Sequence, residues 1–322
     1  MRFVETPWTL LHGGALGDLV LGIQLALRLP GAATAAEIRV VSRTDPGDLS
    51  RCRPRIVRRS SEGLGLHWLF SDDDDPPPGP LTALLQNARV LSFLGGPHTL
   101  AHQRLLELRP TTAFGVDPRP RPGVTRHIVE QWQTQLETQG LLVPKCIHQQ
   151  PHHRALGVPL SAPGALCKTQ APILIHPGSG GANKCWPLAN FVALARRLRT
   201  DGHDVVWLLG PVELETWPAR EVEAITAEFS TLRNPTPDEL VRRLADAAAL
   251  VANDSGPAHL GALLGTPVVA LFGPTPATVW RPLGPRVTVL GGDPGQLSDW
   301  GLSTMAVAAA VCDAATAHLP SA

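Results

Sequence analysis

The second half of the chain alternates short apolar runs with longer amphipathic segments. The apolar runs are ILIH (173–176), DVVWLLG (204–210), ALVAN (249–253), PVVALF (267–272) and RVTVL (286–290). Segments such as LANFVALARRLR, which follows the first run, and a stretch near 213–228 are predicted to be helical. Strands that alternate with helices of this length predict a parallel, doubly wound sheet.

The first half shows a weaker version of the same pattern. The strand-like runs are WTLLH, IRVVS, ARVLSFLG and TAFGVD, and the helical ones are LVLGIQLALRL and RHIVEQWQTQLETQ. Residues 43–80 show no clear period, and SDDDDPPPGP (71–80) is typical of a solvated loop.

We therefore predict an α/β fold with two Rossmann-like domains, each a doubly wound parallel sheet, facing across a cleft. Residues 1–150 are expected to form the first domain and residues 165–302 the second. The Ala-rich segment 303–322 is predicted to be a C-terminal helix that packs across the domains. The Pro- and His-rich stretch 141–170 is interpreted as a linker. Ligands of such sheets bind beyond the carboxyl ends of the strands.

Composition excludes several classes. The 28 basic and 28 acidic residues cancel among 322, so no basic surface indicates nucleic acid. The five cysteines form no CxxC pair, which favours a reducing, cytoplasmic compartment. No secretory leader and no apolar run of about 18 residues is found, so we expect no membrane span.

The stretch NDSGPAH (253–259) joins an apolar run to a helical one. Pro257 suits the first helical turn, Ser255 or Gly256 is placed to cap it, and the helix start favours an anion such as phosphate. Asp254 would repel phosphate but can accept hydrogen bonds from sugar hydroxyls. Together these preferences indicate a sugar nucleotide, with a capped turn that binds nothing as the alternative.

A second loop, HPGSGGANKCWP (176–187), also joins a strand to a helix. Ser179, Gly180 and Gly181 make it flexible and rich in donors, and Lys184 adds a cation that can neutralise a diphosphate. Two loops suited to anions on one sheet edge are less expected by chance than one, so each strengthens the interpretation of the other. A glycine-rich surface turn remains an alternative for this loop.

The third loop, GGALGD (13–18), lies in the other predicted domain. Its glycines, Gly13, Gly14 and Gly17, allow close approach of a ligand, and Asp18 begins the helix that follows. Asp18 is either a first-turn acid that stabilises the helix or, if it faces the cleft, a general base. The GxGxxG spacing of dinucleotide-binding folds is missing, which makes a nicotinamide oxidoreductase a weak alternative.

With these loops the chain resembles glycosyltransferase family 9, the ADP-heptose:lipopolysaccharide heptosyltransferases. The resemblance is carried by GALGDLVLGIQLALRL, ILIHPGSGGANKCWPLANFVALARRL, VVWLLGPVELE and LADAAALVANDSGPAHLGALLGTPVVALFGPTPATVW. It implies a GT-B fold and inverting, metal-independent transfer without a cofactor. The donor, a nucleotide-diphosphate sugar such as ADP-heptose, would bind the second domain, and a glycan or glycolipid acceptor the first.

The resemblance also implies roles for single residues. Asp18 matches the proposed catalytic base, and Lys184 the lysine at the donor phosphate and sugar. Asp254 matches the aspartate that holds sugar hydroxyls, and Glu213 is a candidate for the ribose-binding glutamate. The phosphate-side residues implied by the match are Ser179, Gly180, Ser255, Gly256 and His259.

Two other functions stay open at this point. A nucleotide-sugar epimerase would use the same architecture without an acceptor, and a silent sugar-nucleotide-binding protein would use it without catalysis. The acceptor is not specified by the residues; lipopolysaccharide core is one candidate. A lipid-linked acceptor would bring the enzyme to the inner face of the cytoplasmic membrane as a peripheral protein.

Overall fold

The computed structural model describes residues 6–72, 75–143, 171–292 and 300–316. The chain divides into two compact units, Met1–Val158 and Pro159–Ala322. The division falls inside the stretch interpreted as a linker, most of which lies outside the described residues. The exact bounds proposed for the domains stay predictions.

The first unit is built on a parallel sheet with the strand order β3-β2-β1-β4-β5. Its strands are β1 (Trp8–His12), β2 (Glu37–Ser42), β3 (Arg55–Ser60), β4 (Arg89–Ser92) and β5 (Thr112–Gly115). All five residues of β1 are buried, including the polar Thr9 and His12, as expected of a strand inside a parallel sheet. The strand order reverses between β1 and β4, so the loop after β1 starts at the position where doubly wound sheets bind ligands.

The helices between these strands are α1 (Leu16–Ala26), α2 (Gly79–Leu85) and α3 (Leu100–Glu107), and α4 (Ile128–Thr138) follows β5. The region 43–80, in which the sequence showed no period, contains β3 and a short 3₁₀ helix, Leu66–Phe70. β3 is an edge strand with exposed or half-buried arginines, so its sequence lacks the apolar run that predicts a strand.

The second unit contains a parallel sheet with the order β11-β10-β9-β6-β7-β8. Its strands are β6 (Ile173–His176), β7 (Val205–Leu209), β8 (Ser230–Arg233), β9 (Ala249–Asn253), β10 (Val268–Phe272) and β11 (Val287–Gly291). Between them lie α5 (Leu188–Thr200), α6 (Pro211–Thr216), α7 (Ala219–Glu228), α8 (Pro237–Asp246), α9 (Gly256–Leu263) and α10 (Ala277–Trp280). The prediction of parallel, doubly wound sheets is confirmed for both units.

The single helix predicted near 213–228 is wrong, because the structure has α6 and α7 there. Pro218 separates them: proline disfavours helical geometry at the preceding residue, and Trp217 is extended, with φ −80° and ψ 150°. The last helix, α11 (Thr304–Thr316), packs on α5 and on β9, β10 and β11, all within the second unit. Its predicted packing across both domains stays a prediction.

Candidate functional site

Neighbouring strands bring two of the predicted loops together at the carboxyl edge of the second sheet. β6 pairs with β9 in parallel, with His176 opposite Ala252, so residue 177 and residue 254 leave the sheet side by side. The buried Asn253 ties the loops to each other: its Nδ2 donates to Pro177 O at 2.6 Å, and its Oδ1 accepts from Trp186 N at 3.0 Å. One amide therefore fixes both ends of the loop that carries Lys184.

Three of the predicted site residues contact a fourth, Asp254. Lys184 Nζ lies 3.4 Å from Asp254 Oδ2, and His259 Nε2 lies 3.8 Å from Asp254 Oδ1. Ser179 Oγ donates to the backbone oxygen of Asp254 at 2.7 Å. We call Ser179, Lys184, Asp254 and His259 the Asp254 cluster. The hydroxyl proton of Ser179 is already engaged in this structure, so Ser179 holds the loop against β9.

The Asp254 carboxylate is mostly buried but is held in its charged form. Burial by itself would raise its pKa; the contact with His259 and then the charge of Lys184 outweigh burial, and the pKa lies below its usual value. Its side chain is 12% exposed and that of Lys184 is 41% exposed. An ionised carboxylate with one open side is suited to accept hydrogen bonds from neighbouring hydroxyl groups.

The helix that follows the cluster begins with an unpaired hydroxyl. Ser255 stands at the N-cap of α9 in extended geometry, but its side chain does not cap the helix, and its buried Oγ has no hydrogen-bond partner among the described residues. Pro257 has no N–H, and the N–H groups of Ala258 and His259 donate to Ser255 O. Anion contacts at this helix start therefore fall on Ser255 and Gly256, fewer groups than a free first turn offers.

Glu213 reaches the same loop from a third strand end. It lies in the first turn of α6, is 2% exposed, and its Oε2 accepts from Gly210 N at 2.6 Å. Its other carboxylate oxygen packs directly on Gly178, where an added Cβ would overlap it. Gly180, in contrast, is exposed at the loop tip with nothing within 4 Å of an added Cβ. In the structure the Glu213 side chain therefore caps the start of α6 and packs on the loop at Gly178, next to Ser179.

The residues predicted in the first unit lie in the loop after β1 and in the first turn of α1. Gly13 is exposed, and Gly14, Gly17 and Asp18 are half-buried. The helix α1 begins earlier than expected, at Leu16, so Asp18 lies within its first turn, and Ala15 at the N-cap offers no side-chain cap. An added Cβ at Gly14 would lie 3.3 Å from Asp18 Oδ2, which places the carboxylate over the glycine loop, residues 13–18.

A pocket that the sequence did not indicate lies on the same edge of the first sheet. It has a volume of about 470 Å³ and is lined by residues that include Gly96 after β4 and Asp117, Arg119 and Arg121 after β5. Arg119 makes a two-pronged ion pair with Asp117, with Nε and Nη2 each 3.1 Å from a carboxylate oxygen. β1, β4 and β5 are parallel neighbours, so this pocket and the glycine loop share one sheet edge.

Three glutamines, two in α4 and one at its C-cap, fix the wall of that pocket. Gln139 exchanges two hydrogen bonds with Gly115, and Gln135 exchanges two with Asp117, at distances of 2.8 to 3.1 Å. Gln131 accepts from Arg121 N and donates to Arg126 O. Their spacing of four residues places them on one helix face, and that spacing is the sequence signal that could have revealed this ladder of amides.

The described residues contain no group of three or more His, Cys, Asp and Glu side chains arranged to hold a metal ion. None of the helices they form combines the length and apolar character that crossing a membrane requires.

The chain is similar in sequence to known heptosyltransferases. The sequence model of glycosyltransferase family 9 (heptosyltransferase) matches residues 124–301, more than half of the chain. The chain is 31% identical over 116 residues to lipopolysaccharide heptosyltransferase 3 of Escherichia coli. It is 32% identical over 115 residues to lipooligosaccharide heptosyltransferase 2 of Haemophilus influenzae. Each alignment covers 34% of this chain and 33% of the relative, so the matches span about a third of these curated proteins.

Solved structures resemble the chain over nearly its whole length. A glycosyl transferase family 9 protein from Veillonella parvula has a TM-score of 0.66 at 18% identity, covering 98% of both chains. The E. coli heptosyltransferase WaaC with ADP has a TM-score of 0.61 at 18% identity, covering 96% of this chain and 99% of WaaC. At this identity the likeness shows the fold, and the predicted α/β fold of the GT-B class is confirmed.

Proposed function

The chain belongs to glycosyltransferase family 9, and from this membership and the Asp254 cluster we propose that it is an inverting glycosyltransferase. The proposed donor is a nucleotide-diphosphate sugar, with ADP-heptose first among candidates, because WaaC was solved with ADP and with ADP-2-deoxy-2-fluoro heptose. The proposed acceptor is a glycan hydroxyl, and the names of the curated relatives favour lipopolysaccharide core.

The observation that carries the proposal is the meeting of Lys184, Asp254 and the start of α9 within one sheet edge. The ionised Asp254 is suited to hold the hydroxyls of the donor sugar. Lys184, 3.4 Å away, and the unpaired Ser255 hydroxyl are suited to the diphosphate beside it. A sugar diphosphate carries hydroxyl groups next to negatively charged phosphates. This matches a carboxylate that lies next to a cation.

The charge that develops on the leaving nucleotide needs stabilisation. Lys184, the backbone of Ser255 and Gly256 and the positive end of the α9 dipole are fixed in place before reaction, which is where such groups contribute most. In our proposal they make a divalent metal unnecessary for the departure of the diphosphate. Transfer is therefore expected to continue at the parent rate after treatment with EDTA.

Asp18 is the proposed general base. It would take the proton of the acceptor hydroxyl as that oxygen attacks the anomeric carbon from the face opposite the diphosphate. This single displacement inverts the anomeric configuration and produces the free nucleotide diphosphate. The acceptor is proposed to bind the first unit, where the pocket with Arg119 and Arg121 shares a sheet edge with the glycine loop. A lipid-linked acceptor would bring the enzyme to the cytoplasmic face of the membrane as a peripheral protein.

Two assays test the proposal together. In a thermal-shift screen of ADP-, GDP-, UDP- and dTDP-sugars, we expect the ADP-sugar to raise the melting temperature most, since a ligand of the folded state stabilises it. With ADP-heptose and truncated lipopolysaccharide core oligosaccharide, we expect ADP release only when both are present. Isomerised sugar from the donor alone would identify an epimerase, and binding without turnover would identify a silent binding protein; either result contradicts the proposal.

A further inference from the structure

His12 is a buried titratable group to which the proposed chemistry gives no role. It is the last residue of β1 and is 4% exposed. Its ring packs on Phe93, with 5.2 Å between the ring centroids, and on Gly22 of α1, where an added Cβ would lie 3.3 Å from the ring. The surroundings are apolar, and burial lowers the pKa of His12 to about 4, so the ring is neutral at pH 7.

The hydrogen bonds of the ring define its tautomer. Nδ1 accepts from Gly14 N at 3.1 Å, so the proton of the neutral ring is on Nε2. Nε2 is buried and has no hydrogen-bond partner among the described residues. An unpaired buried N–H is unfavourable, and a phenyl ring would avoid it. The hydrogen bond that the ring does make is through the other nitrogen, which accepts from Gly14 N.

Gly14 is held from two sides. Its N–H donates to His12, and its carbonyl oxygen accepts from Thr44 Oγ1 at 2.9 Å. The imidazole and the carboxylate of the proposed base both lie next to Gly14, because an added Cβ would be 2.8 Å from His12 Cε1 and 3.3 Å from Asp18 Oδ2. The imidazole thus fixes the backbone of the residue beside which the Asp18 carboxylate lies.

We propose that His12 is a positioning residue for Asp18: its neutral Nδ1 fixes the Gly14 backbone and thereby the loop over which the Asp18 carboxylate lies. This role rests on the proposed function, in which Asp18 is the base. His12 makes no contact with substrate in this scheme; its effect is on the rate of the step that Asp18 assists and not on donor affinity.

Two substitutions separate the hydrogen bond from the packing. His12→Phe keeps a ring against Phe93 and Gly22 but removes the acceptor, whereas His12→Asn loses ring contacts but places Oδ1 where Nδ1 was. We expect His12→Phe to lower kcat for ADP release from ADP-heptose, with lipopolysaccharide core oligosaccharide as acceptor, by about tenfold at unchanged donor KM. His12→Asn is expected to recover kcat to within about threefold of the parent.

The second measurement does not depend on turnover. The amide of Gly14, followed by hydrogen exchange in the full chain, is expected to exchange about tenfold faster in His12→Phe and near the parent rate in His12→Asn. His127→Phe is the matched control: His127 is also buried, and its Nδ1 likewise accepts an N–H two residues ahead, from Val129 at 3.2 Å. It should leave both kcat and Gly14 exchange unchanged.

The outcomes distinguish the two proposals. Parent-like Gly14 exchange in His12→Phe overturns the positioning role outright. So does a parent-like kcat in His12→Phe when Asp18→Asn is inactive. If Asp18→Asn itself turns over at the parent rate, the base assignment fails, and with it the catalytic part of the role of His12. If the parent protein transfers no sugar, the proposed function fails, and Gly14 exchange still decides whether His12 fixes the loop.

Discussion

The sheet edges of the two units hold their loops in different ways. In the second unit, side chains of the motif residues hold one another: Lys184 and His259 contact Asp254, and Asn253 ties both ends of the loop after β6. In the first unit, neutral polar side chains hold backbone: His12 Nδ1 accepts from Gly14 N, and Gln139 and Gln135 bind the backbone of Gly115 and Asp117 at the end of β5. The second unit thus joins charged and amide side chains of two motifs that lie about 70 residues apart, whereas the first unit fixes backbone groups with uncharged side chains that lie 2 to 24 residues away.

This difference is expected to appear in the effects of substitution. In the second unit a single change should weaken ligand binding or local packing. In the first unit, changes should affect turnover and the pH dependence of stability.

The largest effect is expected at Asp18. Asp18→Asn removes the proposed base and is predicted to lower turnover by roughly 10²- to 10⁴-fold, while ADP affinity is unchanged. Steady-state kinetics and calorimetry measure the two quantities. Glu37→Gln, which removes a carboxylate paired with Arg39 and Arg55 at the start of β2 in the same unit, is the control for a general loss of charge. A parent-like rate in Asp18→Asn would exclude Asp18 as the base.

The next effect concerns acid stability and His12. With an ordinary pKa of 6.5 when unfolded and about 4 when folded, His12 binds a proton in the unfolded chain first. Stability is therefore unaffected above pH 6.5 and decreases as the pH falls towards 4, by about 3 kcal/mol in total. Urea unfolding at several pH values should show this loss in the parent and a smaller one in His12→Phe. Equal pH dependence in the two proteins would contradict the buried, neutral state of His12.

A smaller effect is expected where Glu213 packs on Gly178 in the second unit. Gly178→Ala places a methyl group on the Glu213 carboxylate and should lower the free energy of unfolding by about 1–3 kcal/mol. Gly180→Ala, in the same loop with open space around it, should stay within about 0.5 kcal/mol of the parent. If both variants were equally stable, Glu213 would not support the loop as described.

The smallest predicted effect is at Lys184. Lys184→Ala should weaken ADP binding roughly tenfold, or about 1.4 kcal/mol, because one partly exposed cation is lost from the diphosphate site. It should also move the pKa of Asp254 upward, since Lys184 helps to lower it. Arg197→Ala, which removes a cation paired with Asp201 on α5, is the control. Unchanged calorimetric affinity for ADP in Lys184→Ala would remove this lysine from the site.

The contrast between the units also explains which parts of the fold and of the site the sequence alone could predict. Apolar runs with short capped connections predict both sheets, and charged residues in loops that leave neighbouring strands predict the Asp254 cluster. The sequence could not reveal that Asn253 would fasten both loop ends or that Glu213 would rest on Gly178. Those contacts join residues that are distant along the chain, so no local period records them.

Less of the first unit could be predicted from the sequence, again because its key contacts form only in the folded chain. The role of His12 depends on a tautomer set by burial, and the pocket wall depends on amides from a helix that follows it in the chain. β3 was missed because an edge strand carries polar side chains without a clear alternation. The family model accordingly matches residues 124–301, most of which lie in the second unit.

The central claim is that the carboxyl edge of the second sheet binds the nucleotide diphosphate. Hydrogen exchange of the full chain with and without saturating ADP tests it most directly. With ADP bound, we predict slower exchange of the backbone amides in residues 177–187, 210–213 and 254–259. We predict little change in residues 13–18 or 115–122. Protection confined to the first unit, or none in the loops after β6 and β9 when calorimetry shows that ADP is bound, would contradict it.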